Sequence, residues 1–165
     1  MSSRRVTRVQ LALVLLLLLV LQFYLRPRLW NARVSPDFLL IGLMLFAMRS
    51  GAGAGALAGF LVGLIEDTLT PARFGAAALA HTIVGYLAAW GRAVFFADNM
   101  LVNAAFVAVG LWVRDLIVLL ASDTDHRQLI TELTFYSTIQ ALTTAAFALV
   151  VLMTFRAVFS VRLDA

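Results

Sequence analysis

Residues 9–25 read VQLALVLLLLLVLQFYL, a stretch without a charged side chain. At 1.5 Å per residue, such a run covers most of a hydrocarbon layer about 30 Å thick. An unpaired backbone group costs several kcal/mol in lipid, so only helices or a closed barrel can cross it. The long leucine, alanine and valine runs select helices here. The rest of the chain has the same character. Of its 165 residues, 62% are hydrophobic, and the mean hydropathy of +0.95 lies far above what a water-soluble surface tolerates. The sequence therefore describes an all-α integral membrane protein, one polytopic domain over residues 1–165 with about six short spans.

Working outward from the first run, Arg4, Arg5 and Arg8 precede it and Arg26, Pro27 and Arg28 follow it. No small-x-small cleavage pattern intervenes, which reads as a retained helix rather than a removable signal. The expected spans are 9–25, 36–48, 51–65, 75–90, 100–121 and 133–155. Ser35, Pro36 and Asp37 read as N-cap, first-turn proline and first-turn carboxylate of the second span. At about 20 Å that span must tilt, thin the bilayer or be shielded by neighbours. Arg49 and Ser50 form a tight turn, so Asp37 and Asp67 fall on the same side of the membrane. A loop around Pro71, a turn over 91–99 and a polar loop over 122–131 separate the later spans. Both termini then share a face with Arg4, Arg5, Arg8, Arg49, Arg92, Arg156 and Arg162, against Arg26, Arg28, Arg33, Arg73 and Arg127 on the other. The positive-inside rule places both termini in the cytoplasm.

All thirteen basic residues are arginine, cysteine is absent and the formal net charge is +4. In a membrane protein such charge sets orientation and anionic-lipid contact, so no nucleic-acid partner is expected. Disulfides, thiolate nucleophiles and cysteine-held metals are excluded. There is no G-x-S-x-G elbow, no H-E-x-x-H and no phosphate-binding loop ending in lysine. The paired acids Glu66 and Asp67 do not make the dense acidic motif of a metal-dependent transferase. The sequence thus offers no catalytic residue, cofactor or metal site. His81 stands alone and reads as a hydrogen-bonded interior histidine, and His126 as a solvated residue of the polar loop.

Two constellations remain. Gly51, Gly55, Gly59 and Gly63 recur every fourth residue and place small side chains on one helical stripe, a face for close packing within the chain or against a partner helix. Arg114 and Asp115 lie inside an apolar span, where a charge costs about 2.5–3.5 kcal/mol and is functional by default. Adjacent helical residues point about 100° apart, so at least one of the two seeks another partner. Arg114 sits about 10 Å below the end of its helix, on the side where Asp67 closes its own, and an Arg114–Asp67 pair is the expectation.

The segments S-P-D-F-L-L-I-G-L from Ser35, G-A-L-A-G-F-L-V-G-L-I-E-D to Asp67, and F-G-A-A-A-L-A-H-T-I-V-G-Y-L from Phe74 resemble the MreD family of rod shape-determining proteins. Pro36 and Asp37 match its Pro-Asp helix start. Gly59, Phe60, Gly63, Leu64 and Asp67 match its G-F-x-x-G-L-x-x-D stretch, and Gly75, Leu79, Gly85, Tyr86 and Leu87 match the segment after it. The resemblance implies a non-catalytic inner-membrane subunit of the bacterial elongation machinery. It would hold the single-span partner MreC and, through it, link MreB filaments to peptidoglycan synthases. It also implies a fold similar to the substrate-binding subunits of energy-coupling-factor vitamin transporters. A second reading follows from that similarity: a module that binds a vitamin-like solute or a lipid.

Overall fold

The helix that Pro36 and Asp37 announce is ten residues long, Phe38–Ala47, and it lies at the centre of the protein. Phe38 through Met44 and Ala47 are buried. A helix that is apolar all round belongs in an interior, and neighbouring helices shield this one. The computed structural model describes residues 2–29, 31, 33–95, 100–122 and 125–160. Among them all regular structure is helical. We number α1 Ser2–Tyr24, α2 Phe38–Ala47, α3 Ala52–Leu69, α4 Ala76–Phe95, α5 Met100–Ala121, α6 His126–Thr131 and α7 Thr138–Ser160. A π-helical stretch, Glu132–Ser137, joins α6 to α7, so 126–160 form one continuous rod.

Among the described residues four stretches are long and apolar enough to cross a membrane: Leu11–Arg28, Ala52–Leu69, Met100–Ala121 and Arg127–Thr154. Phe38–Ala47 and Ala76–Gly91 are shorter apolar helices. Several boundaries differ from expectation. α3 continues through Glu66 and Asp67 to Leu69 instead of ending at 65, and 91–95 are helical rather than a turn. Residues 126–131, expected as loop, already form α6. Residues 96–99 of the expected turn, and Asp123 in the expected loop, lie outside the described residues.

The core forms around α2. Phe38, Leu40, Ile41, Met44 and Ala47 pack with Leu18 of α1, Val84 and Ala88 of α4, Val107 and Leu111 of α5, and Ala141 and Ala148 of α7. Phe38 meets Phe147 edge to face at 4.8 Å between ring centroids.

The closest helix pair is α3 against α4. A methyl group at Gly55, Gly59 or Gly63 would overlap the backbone carbonyls of Gly85, His81 and Ala77 respectively, and Gly85 in turn presses on the carbonyl of Gly55. The two backbones touch along three turns, which only glycine permits. Gly51, expected in the same stripe, is exposed, with nothing within 4 Å of a would-be Cβ. It caps α3 instead, and the stripe begins one turn later.

Candidate functional site

The backbone entering α2 is not helical, and residues 34–38 must find hydrogen-bond partners elsewhere. Flanking helices supply them. The Phe38 N–H donates to Gln22 Oε1 of α1 at 3.1 Å, and the Asp37 N–H to Thr144 Oγ1 of α7 at 3.1 Å. Gln140 Nε2 donates to the Ser35 carbonyl at 3.2 Å, and Thr143 Oγ1 to that of Val34 at 2.8 Å. Asp37, rather than Ser35, is the N-cap: its Oδ1 accepts from the Leu40 N–H at 3.0 Å. Pro36 precedes the cap, and the Ser35 hydroxyl donates back to the Asn31 carbonyl at 2.7 Å.

The N-terminus of α2 lies level with Arg114 of α5, and there that charge finds its partner. Arg114 Nη2 binds Asp37 Oδ2, with 0% of Asp37 and 8% of Arg114 exposed. Arg114 Nη1 reaches Asp115 Oδ1 at 3.1 Å and stands 3.8 Å from Glu66 Oε1. The neighbours Arg114 and Asp115 therefore do pair, but only as part of a larger set. The expected Arg114–Asp67 pair is not formed. Asp67 is occupied at the start of α4, accepting from the Ala77 N–H at 3.1 Å and the Ala78 N–H at 2.9 Å. It continues the Gly55, Gly59, Gly63 spacing by one more turn, which turns it toward α4 and away from α5. Glu66, next to it, faces Arg114 instead.

His81, fully buried on α4, donates from Nδ1 to the Ala77 carbonyl at 2.9 Å. Its Nε2 stands 3.4 Å from Glu66 Oε2. Side chains from α2, α3, α4 and α5 thus converge around one guanidinium. Beside them is a polar cavity of about 180 Å3, lined by Glu66, Asp67, Thr70, Arg73, Arg114 and Val118 among others. A second, apolar groove of about 290 Å3 opens between α1 and α3 over α2, with Leu15, Leu19, Phe46, Ala58 and Leu61 in its wall and Gly42 at its floor.

Sequence reasoning found Asp37, Asp67, Arg114 and Asp115 but missed Glu66 and His81 as members of the cluster, and Gln22 and Thr144 as its supports. The structure brings Asp37, Arg114 and Asp115 together. Asp67, Gly55, Gly59 and Gly63 it places along the α3–α4 seam. The missed signal for Gln22 and Thr144 was their polarity inside otherwise apolar runs, since buried polar groups need partners.

Residues 3–160 match a family model described as rod shape-determining protein MreD. The chain belongs to the MreD family. No curated protein and no solved structure matches it. The segments that carry the resemblance to MreD have physical tasks here. Asp37 of the Pro-Asp start caps α2 and neutralises Arg114, and the Gly59, Gly63, Asp67 series is a packing stripe that ends in the cap of α4. An MreD protein is a membrane component of rod-shape determination.

Proposed function

We propose that this chain is a non-catalytic scaffold of the cytoplasmic membrane that binds a single-span partner of the MreC type and so supports rod shape and peptidoglycan synthesis. The observation that carries the reading is the family match over residues 3–160. On this reading α2 and α4 complete a six-pass topology with both termini in the cytoplasm, as the arginine distribution suggests. The glycine stripe of α3 is already filled by α4, which leaves the apolar groove between α1 and α3 for the partner helix. Its partly exposed small residue Ala58 favours close approach of a second backbone. A solute-capture role fits less well. The polar cavity, at about 180 Å3 and with no aromatic side chain among those lining it, is smaller than the roughly 300–1,000 Å3 of ligand pockets.

The test is affinity purification in mild detergent at near-native expression. Recovery of a single-span protein with a large extracytoplasmic domain, lost on Ala58→Phe in a chain that still folds, supports the scaffold and its groove. Recovery of an ATPase pair with a coupling membrane subunit would overturn it.

A further inference from the structure

Two atoms of the cluster stand opposite one another without a hydrogen bond. Glu66 Oε2 and His81 Nε2 are buried, lack a partner among the described residues and lie 3.4 Å apart. The Ala77 carbonyl can only accept, so His81 Nδ1 carries a proton, and in a neutral ring Nε2 is left as a lone pair. A buried lone pair facing a carboxylate oxygen is a costly contact. One proton on the line between the two atoms turns it into a charge-assisted hydrogen bond. Both atoms are closed to solvent, so a proton is also the one donor small enough to serve them.

The surrounding charges call for the same proton. Arg114 of α5 already binds Asp37 at the start of α2 and Asp115 beside it, and it stands 3.8 Å from Glu66 Oε1. Asp67 is held at the start of α4 by two backbone N–H groups and shares the polar cavity with Arg73. Arg26, which follows α1, and His81 both lie within electrostatic reach of Asp37. Four carboxylates thus meet three guanidiniums among the described residues. A proton on His81 makes the two signs equal, in a setting where an unpaired charge is costly. The guanidinium beside Oε1 favours a charged carboxylate with the proton on the ring.

We propose that Glu66 and His81 form a proton-binding site, in which one proton on His81 Nε2, donated to Glu66 Oε2, joins α4 to α3 and, through Arg114, to α5 and the start of α2. Glu66 also lines the polar cavity, with 19% of its side chain exposed. Its carboxylate is therefore the path into the site: it takes a proton from water in the cavity and passes it to Nε2, and no other bond is made or broken. Loss of that proton leaves Glu66 with Arg114 alone, at 3.8 Å, and unlinks α4 from the junction. The site thus responds to acidity on the side where the cavity opens. This proposal stands apart from the scaffold reading and does not depend on it.

The full chain, with His126→Asn to leave one histidine and 15N label in that ring, is placed in nanodiscs of phosphatidylcholine and phosphatidylglycerol and titrated by NMR through neutral pH. The expected result is an imidazolium at neutral pH whose Nε2 proton resonates downfield, as in a strong hydrogen bond. Glu66→Gln should lower the midpoint of the ring's titration by about one pH unit or more, the tenfold effect of one charged hydrogen bond. Thermal stability supplies a second readout. A histidine that gains a carboxylate partner on folding contributes fully at low pH, and that contribution is lost as pH rises through its titration in the folded chain. The melting temperature should therefore fall as His81 loses its proton, and His81→Gln, which keeps a neutral donor, should remove that step. A ring with a bare Nε2 at neutral pH overturns the proposal, and so does a midpoint that Glu66→Gln leaves in place. The state of the ring beside unsubstituted Glu66 decides the matter even if either substitution fails to fold.

Discussion

Gly63 and Asp67, one turn apart on α3, meet the same residue of α4: Gly63 lies against the Ala77 carbonyl, and the Asp67 carboxylate accepts from the Ala77 N–H. Close approach and helix capping are thus two consequences of one seam. Without the glycine the backbones would stand too far apart for the carboxylate to reach, and without the carboxylate the first turn of α4 would leave two buried donors unpaired. Asp67→Ala should therefore destabilise the protein by about 1–3 kcal/mol, with Asp67→Asn nearer the lower end. Thermal unfolding in detergent, followed by circular dichroism, reads the difference.

Asp37 and Arg114 should show strong coupling in a double-mutant cycle. Removing one member of a buried pair costs about 3–5 kcal/mol, so Asp37→Asn and Arg114→Gln together should cost clearly less than the sum of the two single substitutions. The cycle between Asp67 and Arg114 should close to within about 0.5 kcal/mol, the additivity expected of side chains that do not interact. Equal coupling in both cycles would contradict the arrangement described.

The glycines of α3 separate into two groups. Gly59→Ala drives a methyl into the His81 backbone and should cost about 1–3 kcal/mol or more. Gly53→Ala meets nothing within 4 Å and should stabilise the helix by up to about 1 kcal/mol. Opposite signs of the melting-temperature change for two identical substitutions in one helix are the expected outcome.

Thr144→Val keeps the shape of the side chain but removes the acceptor of the buried Asp37 N–H. It should cost about 1–3 kcal/mol, and hydrogen exchange at Asp37 should accelerate. A neutral result would mean that this backbone donor finds another partner.

Much of this architecture could be read from the chain itself, because apolar runs, the Pro-Asp start and the four-residue glycine spacing are local signals. Partner choice was less legible. Glu66 and Asp67 are adjacent acids, and only their phase relative to Gly55, Gly59 and Gly63 tells which faces α4; followed one turn further, that spacing assigns Asp67 to the seam. The partner of Arg114 depended on where along α5 the first turn of α2 lies, which tertiary packing decides. Gly51 looks like its neighbours in sequence, yet it precedes the first helical turn and has no opposing backbone.

The enclosure of α2 also imposes an order on synthesis. Its first turn is tied to Gln22, made earlier, and to Thr144, made 107 residues after Asp37. At roughly 5–20 residues per second, that interval is on the order of 5–20 s. Throughout it the nascent chain holds a helix too short to cross the bilayer alone, with a backbone donor still waiting for its acceptor. The rod over 126–160 is therefore the one that locks the centre, and until it is made the half-built protein is a client for whatever protects unfinished membrane chains.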